Sequence, residues 1–150
     1  MLIGVGQAYP ARTGLRRSYD EALEASQVGA LLGGRQGVLD FADLGVMHWL
    51  FHLSAERQAE NRYVHVVSDL RDYDEQHRGD LLHTLETYLD SGNALAEASA
   101  VLNVHRNTLL YRLRRIEELT GLDLKNPTNR LNLHIALKGF RMKSDKGNAV

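Results

Sequence analysis

The stretch from Leu102 to Ile116 constrains the fold more than any other, because it combines a turn, an apolar helical stripe and four arginines. Within it, Leu109, Leu113 and Ile116 recur at i, i+4 and i+7. That spacing places them on one face of a helix. We therefore expect one side of a helix over about residues 105–120 to pack against a core.

The opposite face of this predicted helix is polar and basic. It carries Val104, Thr108, Tyr111 and Arg115 at i, i+4, i+7 and i+11, so donors, acceptors and an aromatic ring share one side. No Asp or Glu occurs from Ala98 to Ile116. A helix that is positive over its first half is typical of helices whose N-terminal end meets nucleic-acid phosphates.

A second, shorter helix is predicted just before it. Leu95, Ala98 and Leu102 are spaced i, i+3 and i+7 among further alanines, and Asn93 is the expected N-cap. Asn103 lies between the two helices and is among the few residues that accept a left-handed turn conformation. Two short helices with a tight turn and a basic second helix predict a helix-turn-helix over residues 93–120.

Three blocks of residues carry a family resemblance: LHTLETYL at 82–89, HRNTLLYRL at 105–113 and IEELTGLDL at 116–124. They resemble the C-terminal domain of PucR/CdaR-type bacterial transcriptional regulators, with similarity from about Tyr73 to Phe140. The second block is also similar to the broader Fis-type helix-turn-helix, which has Gly where this chain has Asn103. The resemblance implies a mainly α fold, a helical bundle containing a Fis-type helix-turn-helix, and sequence-specific regulation of transcription.

On this reading the basic helix lies in the DNA major groove. We expect its first residues to meet base edges, with Arg106 bidentate to guanine and Asn107 reading adenine. The groove residues are His105, Arg106, Asn107 and Thr108, and the residues expected on phosphates are Tyr111, Arg112, Arg114 and Arg115. One helix-turn-helix reads few bases, so a homodimer on two half-sites about one helical turn apart is expected on double-stranded DNA.

Charge is divided unevenly along the chain. Residues 1–90 contain 8 Lys or Arg and 14 Asp or Glu, whereas residues 91–143 contain 9 and 4. The basic half is the half with the motif, which favours binding a polyanion at that end. Without cysteine, disulfides and thiolate metal sites are excluded. No apolar run approaches a membrane span and residues 1–10 do not resemble a signal peptide, so a cytoplasmic location is expected.

The first 42 residues have a β-α-β pattern. Short apolar runs at Leu2–Val5 and Val38–Phe41 predict strands, and Leu15–Leu32 predicts an amphipathic helix that ends at two glycines. Its expected core face comprises Leu15, Tyr19, Ala22, Leu23 and Val28.

The family resemblance also suggests which region this short α/β segment comes from. In the PucR/CdaR family a GGDEF-like regulatory region without cyclase function precedes the DNA-binding domain, and GLRRSYDEA at 14–22 resembles its last helix. We therefore expect residues 1–42 to be a remnant of that region. We also expect the chain to be a piece of a longer regulator, whose missing N-terminal part binds a small-molecule effector.

Residues 43–143 are expected to form the helical DNA-binding domain, followed by a frayed tail at 144–150. Asp43–Leu53 is apolar nearly all round, so we expect it to be buried, and it is the first candidate for a dimer surface. Further helices are predicted at about Ala55–Tyr73, at a leucine stripe over 81–89, and after Asn126–Pro127, where a cap precedes a helix-starting proline.

Other functional interpretations have less support. His48 and His52 have the i, i+4 spacing of a zinc-binding pair, but Trp49 stands where a metalloprotease helix has Glu, and no third ligand is evident. Residues 4–6 are only a fragment of a glycine-rich loop. We therefore expect that the chain binds no metal and no cofactor and that it is not an enzyme. The alternatives are a protein-interaction or small-molecule-binding module whose basic helix docks an acidic partner, and a nucleotide-dependent enzyme.

Overall fold

The computed structural model describes residues 1–10, 14–34, 36–53, 57 and 60–146, and the side chains of these residues up to 142. The described chain is mainly helical with a small parallel sheet near its start, which confirms the predicted fold class. It divides into two compact units, Met1–Gln58 with Lys138–Val150, and Ala59–Leu137. The boundary expected from the sequence lay between residues 42 and 43, so the two divisions differ.

The first unit begins with a β-α-β arrangement. Strand β1 (Leu2–Val5) pairs in parallel with β2 (Gly37–Asp40), in a register that runs from Leu2 opposite Gly37 to Val5 opposite Asp40. Helix α1 (Gly14–Leu31) connects them. The predicted strands and helix are therefore confirmed to within about one residue.

Two glycines let β1 lie directly on α1. A Cβ atom added at Gly4 would lie 1.9 Å from the Ala22 carbonyl oxygen, and one added at Gly6 would lie 1.9 Å from the Ser18 carbonyl oxygen. Both distances are far below van der Waals contact, so any side chain there would push the strand off the helix. This close packing accounts for both glycines.

The core face of α1 differs from the predicted one. Val28 is fully buried as predicted, and so is Ala25, whereas Leu15, Tyr19 and Leu23 are 72%, 66% and 45% exposed. These three exposed residues are spaced i, i+4 and i+8, so they share one side of the helix. A two-stranded sheet covers only a narrow strip of α1, and their side lies outside that strip.

A 3₁₀ turn (Phe41–Asp43) and helix α2 (Val46–His52) complete the described core of this unit. The buried residues there are Ala25, Val28, Leu44 and Met142, and the side chains packed around them are Leu31, Leu32, Leu39, Phe41, Met47, Leu50 and Phe51. The predicted burial of α2 is wrong for Trp49, which is 73% exposed, because only one side of the helix meets this core.

The second unit is a bundle of short helices. It contains α3 (Arg62–His77), α4 (Leu81–Asp90), α5 (Leu95–Val101), α6 (Arg106–Thr120) and the first part of α7 (Pro127–Lys146). Its core consists of these buried apolar side chains: Val67, Leu70, Leu81, Leu85, Leu89, Ala98, Leu109, Leu113, Ile116, Leu122, Leu124, Leu133, Ala136 and Leu137.

Three predicted helix limits change, and one of them is the end of α3, which lies at His77 instead of about Tyr73. Helix α3 begins at Arg62 instead of about residue 55, and residues 54–56, 58 and 59 lie outside the described ones. Helix α7 continues to Lys146, so residues 144–146 of the expected frayed tail are helical, and 147–150 lie outside the described residues. No helix in the described part of the chain is long and apolar enough to cross a membrane.

The helix starts are capped by side chains that the sequence identified only in part. Asn126 Oδ1 accepts from the Thr128 and Asn129 amides, which confirms the cap before Pro127. Asn93 is not the N-cap of α5. Its φ of 67° places it in the left-handed turn after α4, and Ala94 occupies the N-cap position.

Candidate nucleic-acid interface

Four residues, 102–105, join α5 to α6. Leu102 closes α5, and Asn103 follows in the left-handed region with φ of 51°. The Val104 amide then donates to the Ser99 carbonyl at 3.0 Å, so the chain folds back over the end of α5. Asn103 therefore has the conformation predicted for it, and the two helices form the predicted helix-turn-helix.

His105 caps the second helix. Its backbone is extended, and its Nδ1 accepts a hydrogen bond from the Asn107 amide at 3.2 Å. This satisfies one of the amides that a helix start leaves without an intrahelical partner. Nδ1 must be unprotonated to accept this bond, so Nε2 carries the ring proton of the neutral imidazole.

The first turn of α6 is open to solvent. His105, Arg106, Asn107 and Thr108 are all exposed and lie next to one another at the N-terminal end of the helix. One turn later Tyr111 is 67% exposed. Arg114 is also exposed.

The inner side of α6 packs in the bundle. Leu109 and Ile116 are fully buried and Leu113 is 7% exposed, in agreement with the predicted stripe. Helix α6 contacts α3, α4 and α5. The buried stripe fixes the rotation of the helix about its own axis, so the exposed residues are presented in a fixed direction.

Arg112 is held inside the bundle. Its Nη1 donates to Asp80 Oδ2 and to Thr84 Oγ1, each at 3.0 Å, and its side chain is only 26% exposed. Asp80 and Thr84 lie at the start of α4. Arg112 therefore attaches the middle of α6 to that helix.

Arg115 has a similar set of partners. Its guanidinium donates to Glu118 Oε2 at 3.0 Å and to the Tyr73 hydroxyl at 3.3 Å, and it lies 5.6 Å from the Tyr73 ring centre. These hydrogen bonds, first to Tyr73 and then to Glu118, raise the pKa of Arg115 above its usual value. The charge of Arg115 is thus stabilised within the bundle.

The eight predicted site residues therefore fall into two groups. Six are exposed, four of them at the start of α6 and two further along it: His105, Arg106, Asn107, Thr108, Tyr111 and Arg114. The other two, Arg112 and Arg115, have partners on α4 and α3. The sequence did not predict roles for Tyr73, Asp80 and Thr84, because each lies 28 to 42 residues from its arginine and no local spacing indicates the pairing.

Comparison with known proteins also identifies a helix-turn-helix in this part of the chain. Residues 81–139 match the family described as the PucR C-terminal helix-turn-helix domain. These residues run from the first residue of α4 into α7 and include the whole helix-turn-helix. The resemblance seen in the sequence is therefore confirmed.

Similarity to individual relatives extends over most of the chain. The chain is 31% identical over 137 residues to the DNA-binding transcriptional activator AdeR of Bacillus subtilis (strain 168), covering 91% of this chain and 32% of AdeR. It is 30% identical over 142 residues to the proline-responsive transcriptional activator PutR of the same organism, covering 94% and 34%.

A third relative comes from another bacterium. The chain is 33% identical over 136 residues to the carbohydrate diacid regulator of Escherichia coli (strain K12), covering 91% of this chain and 34% of that protein. The chain spans about a third of the length of these three relatives. With its exposed basic helix and its match over residues 81–139, the chain carries the C-terminal helix-turn-helix domain of the PucR family of DNA-binding transcriptional regulators.

Proposed function

We propose that this chain is the sequence-reading part of a transcriptional regulator and that α6 lies in the major groove of double-stranded DNA. The carrying observation is that His105, Arg106, Asn107 and Thr108, at the start of α6, are all exposed, while Leu109, Leu113 and Ile116 further along anchor the helix in the core. Polar side chains at the start of a recognition helix are placed to reach base edges.

Within this proposal Arg106 and Asn107 read bases. Arginine pairs bidentately with guanine O6 and N7, and asparagine pairs in the same way with adenine N6 and N7. Both side chains are exposed in the first turn of α6. Each good bidentate pair contributes about 1–3 kcal/mol of discrimination against the wrong base.

The remaining basic residues position the helix on the DNA backbone. Tyr111 and Arg114 are exposed further along α6 and contact phosphates in this proposal. Both contacts of Arg112 use Nη1, and a guanidinium has five N–H donors, so a phosphate contact through its other nitrogens is compatible with them. Arg115 is proposed to contact a phosphate from its place beside Tyr73.

A homodimer on two half-sites completes the proposal for DNA binding. Two recognition helices about one helical turn apart on the duplex read more bases than one helix does. The proposed dimer surface is α2, where Trp49 is 73% exposed. Sedimentation velocity tests it: Trp49→Ala should shift a dimer towards monomer, whereas an unchanged dimer would place the surface elsewhere.

We also infer that this chain is a part of a longer regulator. Residues 1–42 are proposed to be the end of a GGDEF-like regulatory region, and an effector is proposed to bind in the part that precedes it. The relative PutR is named as proline-responsive, which supports control by a small molecule. The regulator is proposed to act in the cytoplasm and to have no enzymatic activity.

A titration of DNA binding tests the central claim. Fluorescence anisotropy with labelled DNA from upstream of the chain's own gene, against random competitor DNA, should show a preference for the upstream DNA. Arg106→Ala should remove most of that preference. Arg16→Ala, which removes the same charge from an exposed position on α1, should leave it intact. Equal affinity for both DNAs would contradict sequence reading and favour an acidic protein partner.

A further inference from the structure

Two histidines of α2 and one glutamate of α1 converge at one point of the first unit. His48 Nδ1 lies 2.6 Å from Glu24 Oε1, and His52 Nε2 lies 2.9 Å from Glu24 Oε2. One ligand atom from each of the three residues falls within a group no more than 4.8 Å across. The sequence offered no third ligand for the two histidines, and α1 supplies one.

The helix geometry explains the convergence. His48 and His52 are spaced i, i+4, so their rings project from the same side of α2, with ring centres 4.9 Å apart. Phe41 and Phe51 each pack edge-on against one of the rings, at 5.2 and 5.3 Å. Both rings therefore have packing that favours their orientation towards Glu24.

We propose that Glu24, His48 and His52 bind a divalent transition-metal ion of the zinc class. Two imidazoles and a carboxylate are a common ligand set for zinc, with bonds of about 2.0–2.2 Å. Around a tetrahedral ion, such bonds place the ligand atoms about 3.3 Å from one another. The two imidazole–carboxylate distances are somewhat shorter than this value and all three ligand atoms lie within 4.8 Å of one another, so modest side-chain rotations bring them to it.

The surroundings fit a site that is open on one side. The Glu24 side chain is only 13% exposed, whereas those of His48 and His52 are 39% and 58% exposed. An ion therefore enters from the histidine side, and water completes its coordination. Binding replaces the protons that the imidazoles share with Glu24, so a cation links α1 to α2 in place of two hydrogen bonds.

Calorimetry and Co²⁺ spectroscopy of the 150-residue chain test the site. Titration with Zn²⁺ should show one ion per chain. Co²⁺ in place of Zn²⁺ should give the intense visible absorption of a tetrahedral nitrogen and oxygen site. Thermal unfolding followed by circular dichroism should shift to higher temperature with Zn²⁺, because an ion that binds only the folded state stabilises it.

Variants distinguish this site from adventitious binding. Glu24→Gln and His52→Gln should lose the Zn²⁺ isotherm and the Co²⁺ absorption, and circular dichroism checks that both still fold. His83→Gln, which changes an exposed histidine of α4, should keep both signals. Absence of binding by the unaltered chain, retained binding in His52→Gln, or equal loss in His83→Gln would each overturn the proposal.

Discussion

Asp80 occupies the N-cap position of α4, yet its carboxylate binds Arg112 of α6 at 3.0 Å and makes no side-chain bond to its own helix. The capping of α4 comes instead from Asp74, whose two carboxylate oxygens accept from the Leu81 and Leu82 amides at 2.9 and 2.8 Å. Because Asp74 caps α4, Asp80 is available to hold the recognition helix.

This relationship predicts energetic coupling between Arg112 and Asp80. In a double-mutant cycle with Arg112→Ala and Asp80→Ala, we expect a coupling of about 0.5–1 kcal/mol in the free energy of unfolding, since the pair is partly exposed. Urea denaturation measures it. Arg114 lies on the same helix and is exposed, so the same cycle with Arg114→Ala in place of Arg112→Ala should show no coupling. Zero coupling for Arg112 as well would mean that the ion pair contributes nothing to stability.

Arg114 and Arg106 should differ in what they contribute to DNA binding. Arg106→Ala should cost about 1–3 kcal/mol on the preferred DNA and relax the base preference. Arg114→Ala should weaken binding to all sequences alike and lower the slope of log affinity against log salt by about 1. Anisotropy titrations over a range of salt concentrations separate the two effects. Identical behaviour of both variants on preferred and random DNA would contradict this division.

The buried side of α6 predicts a large packing effect. Leu109 is fully buried, so Leu109→Ala should lower the free energy of unfolding by about 2–5 kcal/mol. Leu119 lies on the same helix but is 39% exposed, and Leu119→Ala should cost less than about 1 kcal/mol. Urea denaturation of the two variants gives the comparison. If the two losses were equal, the rotation assigned to α6 would be wrong.

The left-handed conformation of Asn103 predicts different effects on stability for its replacement by Ala and by Gly. Asn103 has φ of 51°, so Asn103→Ala should destabilise the fold by about 1–2 kcal/mol, whereas Asn103→Gly should be neutral or stabilising. Asn107 is helical and exposed, and Asn107→Ala should be neutral or slightly stabilising because Ala has the higher helix propensity. Thermal unfolding checks all three. A neutral Asn103→Ala would show that the turn has another conformation.

The hydrogen bonds of Glu21 predict that the first unit loses folding stability in acid. Burial by itself would raise its pKa, but hydrogen bonds from Tyr9, the Gln7 amide and Arg17 outweigh burial and lower the pKa below the ordinary 4.5. A lowered folded-state pKa means that ionised Glu21 adds stability above pH 4.5, and that this stability is lost as pH falls through the folded value.

Unfolding measured between neutral pH and pH 3 tests this sign. The single tryptophan, Trp49, lies in the same unit, so its fluorescence can follow that unit during denaturation. Glu21→Gln should lose less stability on acidification than the unaltered chain. An equal loss in both would show that Glu21 does not cause the acid sensitivity.

The sequence by itself determined most of the local structure. Apolar residues repeating at i, i+4 and i+7 identified the buried side of α6, because a helix that packs on one side must repeat its apolar residues at helical spacing. Asn103 marked the turn, since few residues accept its conformation. The same stretch carried the family resemblance that the match over residues 81–139 confirmed.

Only the tertiary structure decided which helix faces meet and which polar groups pair. Local spacing predicted Leu15, Tyr19 and Leu23 on the core side of α1, whereas the structure exposes these three and buries Ala25 with Val28. The pairs of Arg112 with Asp80 and of His48 with Glu24 join residues 32 and 24 positions apart. Periodicity reports that a face is buried but not what covers it, because the partner depends on how the helices pack together.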